Sequence, residues 1–235
     1  MTLPSLALPR IAPTIARAIA VGVSFFAATL FAAPPTGSLA ASANTKWQAE
    51  LVGTEGGSLT TYPNNLGWQA DHPASYPSPF LVVGMRPSGD RTNDGVRIRG
   101  QKRTAADWVV SDGTDAIWVT GLAAPKPGKP VVFTGRFTTD GALALKGIRF
   151  LVAAEPKGKT LARPGDFVVY PLAGNKSNTV PVETEGDAAE LAFTDERDTL
   201  IVRAVRPGTA KIRFFSLGFT DDKPTLQSER ILAVE

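Results

Sequence analysis

The sequence predicts an all-β protein: a signal peptide followed by two small β-sandwich or barrel-like units. Three observations predict this. Residues 199–217, TLIVRAVRPGTAKIRFFSL, alternate with period two on both sides of Pro207-Gly208. Leu200, Val202 and Ala204 share one face, as do Ala210, Ile212 and Phe214, while Arg203, Lys211 and Arg213 point the other way as a basic outer stripe. The 22 glycines and 19 prolines among 235 residues supply turns at short spacing. No stretch after residue 43 repeats its apolar residues with the period of an amphipathic helix.

The first 43 residues read as an address. Arg10 and Arg17 form a positive n-region without acids, residues 18–33 are an apolar run, and Ala41-Ser42-Ala43 supplies a cleavage site before Asn44. A largely apolar run of sixteen residues ended by Pro34-Pro35 falls short of the roughly 20 needed for a membrane span, so no stable span is expected after cleavage. The expected location is exported: periplasmic, cell-surface or extracellular. Removing Arg10 and Arg17 lowers the formal net charge from +3 to close to +1. Nucleic-acid recognition wants a basic patch or stripe, so no nucleic-acid partner is expected.

Residues 44–155 are expected to form a β-rich unit. Residues 49–52 read as a first strand, followed by a long irregular stretch over 53–79 holding Tyr62, Trp68, His72 and Tyr76. Long loops inside compact domains are often functional. Strands are expected at 80–85, 96–101, 108–110, 116–119, 131–138 and 142–152, with turns at Asp112-Gly113 and Asp140-Gly141. Residues 155–159, EPKGK, read as a linker or exposed turn into a second unit over 156–235. Its strands are expected at 167–172, 179–183, 189–193, 199–205, 209–217 and 228–234, with 199–217 as its central hairpin.

This second unit resembles bacterial immunoglobulin-like domains. Pro164-Gly165-Asp166 before a strand, and Ala204-Val205-Arg206-Pro207-Gly208-Thr209-Ala210 with Ile212, carry the resemblance. It implies an Ig-like sandwich and a place among exported surface proteins, and it supplies no catalytic residues. The unit is also similar to the chagasin-like protease inhibitors, which implies an inhibitor as a further alternative. Their N-P-T-T-G-Y loop is missing, so no inhibitory residue is carried over.

The chemical inventory is small. There is no cysteine and one histidine, which removes disulfides, thiolate nucleophiles, cysteine-ligated zinc and His-rich metal sites. No catalytic residue and no cofactor is expected. His72 has no G-x-S-x-G elbow to serve. Asp90, Thr92 and Asp94 with Gly95 imitate the start of a calcium loop, but position 12 is Gln101. A polar turn is the competing reading. The charge runs at 195–198 and 221–223 read as solvated loops, and Asn175-Lys176-Ser177 as a turn.

Tyr62, Trp68 and Tyr76 are the candidate ligand-binding residues, because exposed rings stack on sugars or anchor protein partners. The competing reading is that the loop folds back and buries them. The expected function is thus an exported, non-enzymatic protein with a structural or binding role toward a protein or polysaccharide of the cell envelope. A carbohydrate-binding module using the loop aromatics is the alternative.

Overall fold

The computed structural model describes residues 46–54, 59–61, 65–88, 96–171, 182–195, 199–216 and 225–235. The leader, Tyr62, the calcium-loop candidates Asp90, Thr92 and Asp94, and the 175–177 triplet lie outside them. The fold is all-β: thirteen strands and two short α-helices are found among the described residues, all within one compact unit. None of these helices is long and apolar enough to cross a membrane.

Strands β1 (Phe80–Met85), β3 (Trp108–Ser111), β4 (Ala116–Thr120), β5 (Pro130–Phe137) and β6 (Leu145–Ala153) close into a ring. The ring runs β1-β3-β4-β6-β5 and returns to β1. All its pairs are antiparallel except β4–β6, which pairs Val119 with Leu145 and Thr120 with Lys146 in parallel. The expected turns at Asp112-Gly113 and Asp140-Gly141 join β3 to β4 and β5 to β6. Alternate side chains fill the interior: Phe80 and Val82, Trp108 and Val110, Ile117 and Val119, Val131 and Phe133. A short strand β2 (Ile98–Arg99) adds in parallel to the start of β4.

The remaining strands form two facing sheets. β8 (Phe167–Pro171), β11 (Thr199–Ala204) and β10 (Ala189–Asp195) are antiparallel neighbours. The facing sheet runs β7-β13-β12-β9, from β7 (Lys159–Ala162), β13 (Thr225–Val234), β12 (Gly208–Ser216) and β9 (Val182–Glu185). Between them lie Val168, Tyr170, Leu191, Leu200 and Val202 against Ala210, Ile212, Phe214, Leu232 and Val234. Strand β7 stands partly in the expected linker; its KTLA sequence buries only Thr160 and Ala162, too small an apolar signal to read as a strand.

The residues 199–217 fold differently from the expected hairpin. Both segments are strands and all six inward residues are buried, yet β11 and β12 do not pair with each other. The connection over 205–207 carries the chain from one sheet to the other, so the two apolar faces meet across the sandwich. The basic stripe divides accordingly. Lys211 and Arg213 lie on the outer face of the four-stranded sheet, paired with Glu185 and Glu229. Arg203 belongs to the other sheet.

The boundary expected at 155/156 falls in the β6–β7 connection, and sheet pairing runs across it. The end of β6 pairs in parallel with β8, Val152 with Val168 and Ala153 with Val169, making one nine-stranded sheet. Its β1, β5, β6, β8, β10 and β11 strands also contribute to a third cluster: Leu81, Val132, Leu151, Val169, Phe193 and Ile201. This cluster is closed by the segment expected as a first strand, which is instead the helix α1 (Gln48–Val52). Three apolar residues among five fit either period, and tertiary context decides: Leu51 and Val52 turn inward together, and Gly53, at φ +73°, caps the helix by donating to Ala49 O at 2.8 Å. Thr134 donates its hydroxyl to the Leu51 carbonyl at 2.7 Å.

Glu50 ties this strap to both halves. It accepts from Arg203 Nε at 2.9 Å and Nη2 at 3.2 Å, and from Arg149 of β6. Arg203 also lies over the Trp47 ring at 4.2 Å. Partial burial pushes the Glu50 carboxyl up, but the hydrogen bonds and charges of Arg203 and Arg149 outweigh it and hold the group below the usual carboxylate range. A lowered folded pKa contributes stability present above the unfolded value and lost as pH falls through the folded one. Glu50→Gln should therefore cost about 1–2 kcal/mol near neutrality, discounted for partial exposure, and flatten the acid side of the stability profile. Urea titrations from pH 7 to 3 check this; a parallel downward shift at every pH would mean that Glu50 ionisation contributes nothing.

Candidate functional site: an aromatic shelf at the barrel end

The stretch over 53–79, expected as an irregular loop, contains the helix α2 (Leu66–Asp71) and a 3-10 turn (Pro73–Ser75). Asn65 caps α2, its side chain accepting from Trp68 N at 2.9 Å. Leu66 and Ala70, one turn apart, plug the barrel core. That leaves Trp68 on the solvent side.

The tip of the β3–β4 turn is the pedestal for this helix. Asp112 Oδ2 accepts from Leu66 N at 2.9 Å, and Oδ1 accepts from the N–H groups of Thr114 and Asp115 and from the Thr114 hydroxyl. Burial pushes the Asp112 carboxyl up, but these donations outweigh it and hold it below the usual range. Arg99 bonds Asp115 at 2.9 Å and reaches Asp71 at the far end of α2. Gly67 sits directly against Asp115, where a Cβ would collide with the carboxylate. The helix is clamped at its beginning and its end.

Two of the three predicted binding residues come together here. Trp68 and Tyr76 meet edge to face, centroids 5.8 Å apart and planes at 85°. Tyr76 is half-buried and anchored on Phe80 and Phe137 of the barrel core. Trp68 is 49 % exposed, although large aromatics are usually covered. The outcome lies between the two sequence readings: Tyr76 joins the core while Trp68 faces solvent. His72 stacks on Trp68 at 4.5 Å, with Nδ1 placed 2.9 Å from the Trp68 carbonyl oxygen.

An open pocket of about 270 Å³ adjoins the rings, lined by Thr60, Trp68, Ser75, Tyr76, Pro77 and Ser78. Sequence reasoning missed Thr60, Ser75 and Ser78, which carry no pattern of their own. Thr60 arrives by bridging β1, donating its N–H to Pro79 O and accepting from Leu81 N. Among the described residues no group of three or more acidic or histidine side chains could hold a metal ion.

Trp118 points outward from β4, and Lys102 Nζ lies 5.1 Å from its ring centroid. Val109, the register partner of Trp118, is buried. The segment over 100–107 is held by Asp107, which accepts from the N–H groups of Arg103 and Thr104 and the Thr104 hydroxyl. Arg103 forks onto Asp140 across the β5–β6 connection. No family model matches the chain, and no curated protein matches it significantly.

Proposed function

We propose that this is an exported, non-enzymatic protein of the periplasm or cell surface with a binding role, and that it meets its envelope partner at the Trp68–Tyr76 shelf. The observation that carries the reading is Trp68. A large ring half in solvent, on a helix clamped at both ends beside a pocket, is placed for contact rather than for packing.

The architecture supports the scaffold part of the reading. Strands β8, β11 and β10 facing β7, β13, β12 and β9 correspond to the B-E-D and A-G-F-C order of an Ig-like sandwich. The ring order, with its single parallel pair, favours an OB-type barrel, a scaffold that binds oligonucleotides or oligosaccharides on its second and third strands. In this chain those strands are β3 and β4, where Lys102 lies over Trp118 on the outer face of β4; the contact proposed here is at the barrel end instead. Fold alone gives no activity; the shelf is the basis of the reading.

Trp68→Ala should leave the melting temperature within a few degrees of wild type, because half of the ring is already in solvent. The same substitution should reduce retention of the mature chain on isolated envelope fractions at least tenfold. Retention insensitive to Trp68 would overturn the assignment of the site, and substrate turnover would overturn the non-enzymatic reading. N-terminal sequencing of the exported protein should begin at Asn44; an unprocessed chain confined to the cytoplasm would overturn export.

A further inference from the structure

The shelf has a composition that selects among ligands. We infer, resting on the binding role proposed for this site, that its ligand is an uncharged sugar ring of a polysaccharide. Trp68 and Tyr76 stand nearly perpendicular and both line the open pocket, with His72 stacked on one face of Trp68, so the rings present a corner rather than a flat patch. The apolar C–H face of a pyranose fits against an aromatic face, whose negative quadrupole attracts those hydrogens. The pocket beside the corner holds about 270 Å³, below the roughly 300–1,000 Å³ typical of drug-sized ligands. That is room for one ring, with the rest of the chain left in solvent.

The polar groups around the corner are hydroxyls. Thr60, Ser75 and Ser78 each offer one donor and two acceptor positions, the complement of sugar hydroxyls. None of the described lining residues is charged. A uronic acid or a phosphorylated sugar would bring its charge there without a counter-ion. A nucleobase could stack equally well, but single-strand binding couples stacking to a basic groove that tracks the phosphates, and this lining supplies no cation. A protein anchor would need a surrounding contact surface of roughly 800 Å² per partner, whereas the feature here is a small concave corner.

The test uses the mature chain, residues 44–235, in affinity electrophoresis through gels containing a neutral soluble β-glucan, a neutral galactomannan, an acidic polygalacturonate or no polymer. Retardation by at least one neutral polymer is expected, with affinity lowered at least tenfold in Trp68→Ala and only partly in Trp68→Phe, which keeps a ring. Thermal melts establish that both variants are folded. Retardation by polygalacturonate alone, lost in Trp68→Ala, would overturn the uncharged class while sparing the shelf. Retardation unchanged in Trp68→Ala would overturn the location. No retardation in any polymer would overturn the sugar ligand; Trp68-dependent retention on envelope fractions would then show the binding role standing without it, and loss of that retention too would sink both.

Discussion

Leu51→Ala should destabilise both halves of the fold together, by about 3–4 kcal/mol. Leu51 is fully buried, and truncating such a leucine costs roughly 2–5 kcal/mol depending on how far the site collapses. Collapse is restricted here. The walls of the site are strands of one continuous sheet, Val132 and Leu151 on the barrel side and Phe167, Val169 and Ile201 on the sandwich side. These walls are held from behind by two other cores, since β5 also packs Phe133 into the barrel and β11 packs Leu200 and Val202 into the sandwich. A wall fixed on its far side cannot move in to fill a cavity, which places the cost around the middle of the range rather than at its low end. Hydrogen exchange read by mass spectrometry in both halves checks the prediction. Amides of β5 and of β11 should lose protection by similar factors. Loss confined to one half would show that the strap does not couple them.

This strap also shows where sequence reading stops. The alternation over 199–217 identifies which side chains face inward, and each of those is buried. It contains nothing about which strand is the neighbour, because a hairpin and a corner between sheets demand the same period. Pro207-Gly208 serves either one; Gly208 takes φ +146°, and a Cβ there would press on Ala188 Cβ at 3.3 Å. For residues 48–52 even the element type is undetermined by five residues, and long-range contacts with Phe167 and Ile201 decide it. The site divides the same way. The aromatic content of the 53–79 stretch points to Trp68 and Tyr76, and Asn65 followed by Leu66 and Ala70 at helical spacing is a sequence signal for α2. The pedestal from Asp112, Asp115 and Arg99 is three-dimensional, since its partners lie 46 and 28 residues away in sequence.

Gly100→Ala should cost clearly more than Gly128→Ala, although both glycines have φ +71°. The backbone contribution is common: a non-glycine residue in the left-handed region costs about 1–2 kcal/mol. The surroundings differ. A Cβ at Gly128 meets nothing within 4 Å, so that variant carries the backbone cost alone. A Cβ at Gly100 would collide with the Leu143 carbonyl oxygen, a backbone atom that cannot rotate away. The same carbonyl accepts from Gln101 N at 3.0 Å, and this bond must lengthen or break if the two segments separate. Strand displacement of this kind adds about 1–3 kcal/mol, giving roughly 2–5 kcal/mol in all for Gly100→Ala. The damage should be directional. Lys102, in the segment over 100–107, lies over Trp118 on the outer face of β4, so release of the segment should expose Trp118 further. Denaturant midpoints for the two variants, with acrylamide quenching of tryptophan emission under native conditions, separate these effects: Gly100→Ala should show both a lower midpoint and an additional quenchable tryptophan, while Gly128→Ala shows only a small midpoint shift. Equal midpoints would mean that the Leu143 contact is relieved at no cost, and unchanged quenching in a destabilised Gly100→Ala would mean that the Asp107 and Arg103 contacts alone keep Lys102 over Trp118.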